Sequence, residues 1–106
     1  MSKNFPDNWV VLQIRVFNDE YIYKVLGGWS GGYPGGGSWQ LNSGIVKVEE
    51  SDLCWTFHGV SGSQYVCHKE AYGLKMNTAG IYKQILEEFP DTVTMLDETT
   101  DWNNLV

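Results

Sequence analysis

Eight of the twelve glycines fall within Gly27–Gly44 (GGWSGGYPGGGSWQLNSG). Glycine loses more conformational freedom on ordering than any other residue, and it brings no side chain to a core. A segment so rich in it reads as an irregular binding loop, used where the backbone needs positive φ or must approach a ligand closely. Trp29, Tyr33 and Trp39 are interleaved there with Ser30, Ser38, Gln40, Asn42 and Ser43. Rings stack on flat ligands, while bare N–H groups and hydroxyls hold phosphate or carboxylate oxygens. Together they suit a nucleotide. The other reading is a structural omega-like loop whose aromatics fold back onto the core. The phosphate-loop pattern GxxxxGK[ST] is absent, and no helix follows as a dinucleotide fingerprint requires.

The flanking sequence alternates with period two. Trp9–Phe17 places Val10, Leu12, Ile14 and Val16 on one strand face, and Asn18-Asp19 turns the chain into a second strand, Glu20–Leu26. Ile45–Glu50, Leu53–His58 and Ser63–Glu70 continue the pattern, with Gly59–Gly62 as a tight turn. Asn77 or Thr78 is the expected N-cap of a helix running to about Phe89, with Ile81, Ile85 and Phe89 at spacing four and Pro90 as its stop. Asp91–Leu96 is a last strand, and Asp97–Val106 an acidic tail carrying Trp102. The expected fold is α+β: an antiparallel sheet or small curled barrel of five or six strands, with one helix in the C-terminal half, as one β-rich domain over residues 1–106.

Thirteen acidic residues against seven basic leave a net charge of −6, and Arg15 is the one arginine. Affinity for duplex nucleic acid rests on Lys/Arg contacts to phosphates, so duplex DNA or RNA is not an expected partner. A small anion needs only one or two cations, and Arg15 and Lys69 are the candidates. The sequence has no apolar run of membrane-spanning length and no apolar signal-peptide core near Met1, so an intracellular protein with free thiols at Cys54 and Cys67 is expected.

The remaining motifs have simple readings. A four-residue Gly59–Gly62 loop would set His58 opposite Ser63 and Cys54 opposite Cys67, with His68 on the other face. That gives three zinc-type donors or a thiol–imidazole pair, but in no CxxC framework. Two buried thiols and two strand histidines explain the same residues, and no metal or cofactor is expected. Ser61-Gly62-Ser63-Gln64-Tyr65 is turn chemistry with hydroxyls placed to meet phosphate oxygens. Glu49, Glu50 and Asp52, like Asp97, Glu98 and Asp101, read as solvated edges, with the tail also a candidate acidic docking element. No hydrolase, zinc-protease or kinase signature occurs, and no catalytic residue is assigned.

The runs NWVVLQI, YKVLGGWSGGYPGGGSWQLNSGIVKVEE, SGSQYVCHKEAYGLKMN and LDETTDW resemble a group of small proteins of tailed bacteriophages, chiefly large myophages. The resemblance spans nearly the whole chain, and GWSGGY and SWxxNSGI are its distinctive elements. It implies a non-catalytic anti-defence protein in the host cytoplasm. One form would be a homo-oligomeric sponge that sequesters a cyclic nucleotide second messenger. The other would mask a basic host protein with an acidic surface, as some anti-CRISPR proteins do. For the sponge, the expected ligand-binding set is Arg15, Trp29, Ser30, Tyr33, Trp39, Asn42, Ser43 and Lys69.

Overall fold

The computed structural model describes residues 3–30 and 37–106. Trp9-Val10-Val11-Leu12 is a continuous apolar run, and such a run suits a strand buried on both faces rather than one. That is how β2 (Asn8–Arg15) sits: its residues Asn8 to Leu12 are all buried. Val10 and Leu12 face one core, as the alternation predicts, while Trp9 and Val11 face another.

The architecture is α+β, with two mostly antiparallel four-stranded sheets and one helix, and the barrel alternative is excluded by this open arrangement. The first sheet has the order β1 (Lys3–Asn4), β7 (Gln64–His68), β6 (Cys54–Gly59), β5 (Ile45–Glu50), and only β1 and β7 run parallel. The second has the order β4 (Gly37–Leu41), β3 (Tyr21–Ser30), β2, β8 (Val93–Met95) and is antiparallel throughout. Between the sheets lie Trp9, Val11, Val25, Ile45, Phe57, Tyr65, Cys67 and Trp102. The outer face of the second sheet packs Val10, Leu12 and Leu26 against Ile81, Ile85 and Leu86 of the helix α1 (Met76–Glu88).

Four expectations are corrected. The described residues form eight strands rather than five or six. The Gly-rich segment is not irregular at its ends, because β3 continues to Ser30 and pairs with β4 in the register Gly28↔Trp39. Gly27 and Gly28 lie on β3, and Gly37 opens β4. The N-cap of α1 is Lys75, not Asn77 or Thr78. Thr78 reaches back from the first turn, its Oγ1 accepting from the Lys75 N–H (2.9 Å) and from Asn8 Nδ2 (3.0 Å). Finally, the β6–β7 register differs by one residue: Gly59 joins the strand, its N–H donating to the Ser63 carbonyl at 2.8 Å, and His58 pairs with Gln64. A one-residue slip exchanges strand faces. Cys54 therefore lies opposite His68, while Cys67 turns into the core with Phe57. The two thiols do not share a face. His58 Nε2 instead contacts Glu49 Oε1 at 2.6 Å, and this bond, ahead of the charge of Lys47, holds the Glu49 carboxyl below its ordinary range.

The tail is part of the fold. Trp102 is buried between the sheets beside Trp9, Phe57 and Tyr72, with ring centroids 5.6–6.0 Å away. Asp101 accepts from the Asn103 N–H, and Asn103 Nδ2 donates to Glu50 Oε1 at 3.2 Å.

Two buried acids give the core an alkaline limit. Burial, with a smaller contribution from Cys54, pushes the Cys67 thiol well above its ordinary value of 9.0. Burial also lifts the Tyr72 hydroxyl to about 12, against the opposing effect of the Val11 N–H that it accepts; the hydroxyl itself donates to the Leu96 carbonyl. The folded chain thus keeps protons that the unfolded chain releases. The contribution of Tyr72 is complete below pH 10 and is lost as pH rises through about 12, while that of Cys67 declines from pH 9 upward, at up to about 1.4 kcal/mol per pH unit per group. Urea unfolding is expected to show stability falling from pH 9 upward. Tyr72→Phe, though less stable overall, is expected to have a shallower slope above pH 10. A slope unchanged by Tyr72→Phe would contradict this.

Candidate functional site

The chain leaves β4 at Leu41 and is bound at once to β3, its neighbour in the sheet. Asn42 is 3 % exposed; its N–H donates to the Val25 carbonyl (3.0 Å) and its Oδ1 accepts from the Val25 N–H (2.8 Å). Gly44, at φ 130°, then redirects the backbone so that its carbonyl accepts from the Val60 N–H at 2.9 Å. Only glycine adopts that φ without strain. The loop after β4 is thereby laced to the β6–β7 turn, and Ser43, Ser61 and Ser63 come together. Ser43 Oγ accepts from the Ser61 N–H (3.0 Å) and donates to Ser61 Oγ (3.0 Å), which lies 3.3 Å from Ser63 Oγ.

Gly59 makes this approach possible. A Cβ there would stand 2.7 Å from Ser43 Oγ, closer than real contacts allow, and a tight 3.2 Å from Ser63 Oγ. Gly59→Ala is expected to push Ser43 off Ser61 and to destabilise the fold by about 1–3 kcal/mol. Gly80, on α1 with open space around it, is the control: Gly80→Ala is expected to stabilise by about 0.5–1 kcal/mol. Thermal melts of the two variants check the pair, and equal shifts would contradict the close packing at Gly59.

Two adjoining depressions follow the outer edge of β4, where it faces β1 and β7. They share Asn4, Trp39 and Gln40. The first, about 500 Å³, is aromatic, lined by Phe5, Trp29 and Trp39 with Lys3 at hand. The second, about 870 Å³, holds Asn42, the three serines, Tyr65 and Lys24. Both volumes lie in the range of ligand sites, and both depressions are open to solvent. Trp39 is 44 % exposed on an edge strand. Gln40 is exposed, and its Oε1 accepts from the Tyr65 hydroxyl at 3.3 Å. Burial first, then Cys67, raises the Tyr65 pKa, which keeps that hydroxyl a donor.

The second depression is rich in hydrogen-bond donors. Three serine O–H groups make two Oγ···Oγ contacts, so one hydroxyl hydrogen is left over. The buried Asn42 Nδ2 has no partner, and Lys24 makes no ion pair among the described residues. Among the described residues no carboxylate lines either depression, although the chain has 13 acidic residues. Unpaired buried donors are costly, and their remedy is an acceptor, best a charged one.

The expected site residues divide on this surface. Trp39, Asn42 and Ser43 line the groove. Trp29 does double duty: it lines the first depression yet packs partly against the core, its indole N–H donating to the Phe5 carbonyl at 3.0 Å. Ser30 ends β3, and its side chain, like all of Tyr33 and the Gly31–Gly36 backbone, lies outside the described residues. Arg15 pairs with Tyr21 at the far end of the hairpin, roughly 20 Å along the strand from Gly28, the partner of Trp39. Lys69 is held elsewhere, its Nζ 2.6 Å from Glu50 Oε2 and 5.1 Å from the Trp55 ring centroid. The cations that do reach the groove are Lys3 and Lys24, which the sequence pattern did not single out. Among the described residues no group of three or more His, Cys, Asp or Glu could hold a metal ion, and no helix is long and apolar enough to cross a membrane.

No known protein family, curated protein or solved structure matches this chain.

Proposed function

We propose that this protein is a non-catalytic binding module that sequesters a small, flat, anionic ligand of the cyclic-nucleotide class in the groove along β4. One observation carries the reading: an exposed tryptophan stands at the shared rim of an aromatic depression and a donor-rich one, with no carboxylate among the described residues of either. The base stacks on Trp39 in this reading, and the phosphate meets the serines and Lys24. Both depressions are open, so a single copy leaves much of a bound nucleotide in water. A homo-oligomer that covers the groove is therefore part of the proposal. The resemblance to small phage proteins adds the biological setting, antagonism of host defence in the host cytoplasm. Calorimetric titration of cyclic mono- and dinucleotides tests the reading, with micromolar or tighter binding expected. Folded protein that binds none of them would overturn it.

A second reading, an acidic inhibitor that masks a host protein, is favoured by the β2–β3 hairpin tip. Phe17 is 91 % exposed there, beside exposed Val16 and Tyr21 and the acidic Asp19 and Glu20. An aromatic prong with an acidic rim suits an apolar pocket on a basic surface. A stoichiometric partner captured by wild type and lost with Phe17→Ser would support it.

A further inference from the structure

We infer that the donor-rich half of the groove is a subsite for a singly charged phosphodiester, and that it discriminates against phosphomonoesters. This rests on the nucleotide-binding reading above and specifies its ligand. The subsite is built rather than incidental. Asn42 is 97 % buried by fold contacts that engage its Oδ1 and backbone N–H, yet its Nδ2 is left without an acceptor. Gly59 lets Ser43 and Asn42 close together: a Cβ there would stand 2.7 Å from Ser43 Oγ and 3.5 Å from Asn42 Nδ2. One serine hydroxyl hydrogen also remains unassigned. Such a set of neutral donors, with Lys24 beside it, recognises oxygens bearing lone pairs.

The charge count then selects among phosphates. Lys24 is the one cation lining this depression. A single ammonium with neutral donors balances one negative charge. A phosphomonoester carries about −1.5 to −2 at pH 7. Its second charge would enter without a counter-ion, in a chain whose net charge is already −6. A phosphodiester carries one charge and still presents two free oxygens, one toward Lys24 and one toward the serines and Asn42. Cyclic nucleotides have this chemistry, whereas 5′-nucleotides do not.

The test is calorimetry at pH 7 with three matched probes for each of adenine, guanine, cytosine and uracil: the 3′,5′-cyclic nucleotide, the 5′-monophosphate and the nucleoside. The cyclic form of at least one base is expected to bind about tenfold or more tighter than its monophosphate and its nucleoside. Lys24→Ala, at a half-buried position on β3 and checked for an unchanged fold by circular dichroism, is expected to bring the cyclic form down to the nucleoside level and leave nucleoside binding unchanged. Ser61→Ala is expected to lower cyclic-nucleotide affinity in the same direction and by less. A monophosphate that binds as tightly as the cyclic form, or Lys24→Ala without effect on the cyclic form, would overturn the phosphodiester subsite while leaving the nucleotide reading in place. No binding of any probe by folded protein would overturn both.

Discussion

Trp9→Ala is expected to lower the unfolding free energy by about 3–5 kcal/mol, a large share of what a domain of this size has. Trp9 is 1 % exposed on the central strand and touches everything the fold brings together. Its indole N–H donates to the His68 carbonyl at 2.7 Å, tying β2 to the first sheet at the end of β7. Its ring meets Tyr72 edge-on at 4.6 Å, Phe57 at 5.3 Å and Trp102 at 5.7 Å. Truncation removes the packing of all three and orphans a carbonyl. Trp9→Phe keeps a ring but not the N–H, and is expected to cost about 1–3 kcal/mol. Chemical denaturation of the two variants measures both. A Trp9→Ala loss within 1 kcal/mol of Trp9→Phe would contradict the placement of Trp9 as the hub of the inter-sheet core.

Trp39→Ala is expected to do the reverse. Trp39 lies on an edge strand with nearly half its surface in water, so its removal is expected to change stability by no more than about 1 kcal/mol. Base–aromatic stacking is worth about 1–3 kcal/mol, so nucleotide affinity is expected to fall by roughly five- to 150-fold. Trp29→Ala separates the roles further. Because Trp29 packs against the core and donates to Phe5, its truncation is expected to lower stability as well as affinity. A Trp39→Ala protein that binds like wild type would remove the aromatic half of the site.

The two tryptophans show where sequence was legible and where it was not. Alternation placed β2, β5 and the helix within a residue or two, because Val10, Leu12 and Ile14, or Ile81 and Ile85, lie on faces whose period is local. The second core was less visible. Trp9 and Val11 alternate with Val10 and Leu12, so a strand buried on both faces looks like one buried on either. β4 was hidden by its neighbours, since glycine carries no alternation to read, and only the pairing of Gly28 with Trp39 makes Gly37–Leu41 a strand. Gly59 concealed the register: nothing local says whether a glycine ends a strand or begins its turn, and that one residue decided which thiol is buried. The groove was half visible. Trp39, Asn42 and Ser43 sit in one stretch of chain, but Lys3 and Lys24 arrive through the β1–β7 pairing and the neighbouring β3. Their only signal was a sparse positive charge in an acidic chain. Arg15 and Lys69 had the same signal and lie elsewhere.

The central claim is one of place: a nucleotide held between Trp39 and the serine–Asn42 cluster. Heteronuclear NMR of the labelled protein titrated with the tightest-binding cyclic nucleotide reads this directly. The Trp39 indole N–H and the Asn42 side-chain amide are expected to shift most, the latter because a donor without a partner gains an acceptor. Resonances of Arg15, Lys69 and the hairpin tip at Phe17 are expected to stay still. Shifts centred on the hairpin tip, with Trp39 and Asn42 unmoved, would contradict the account.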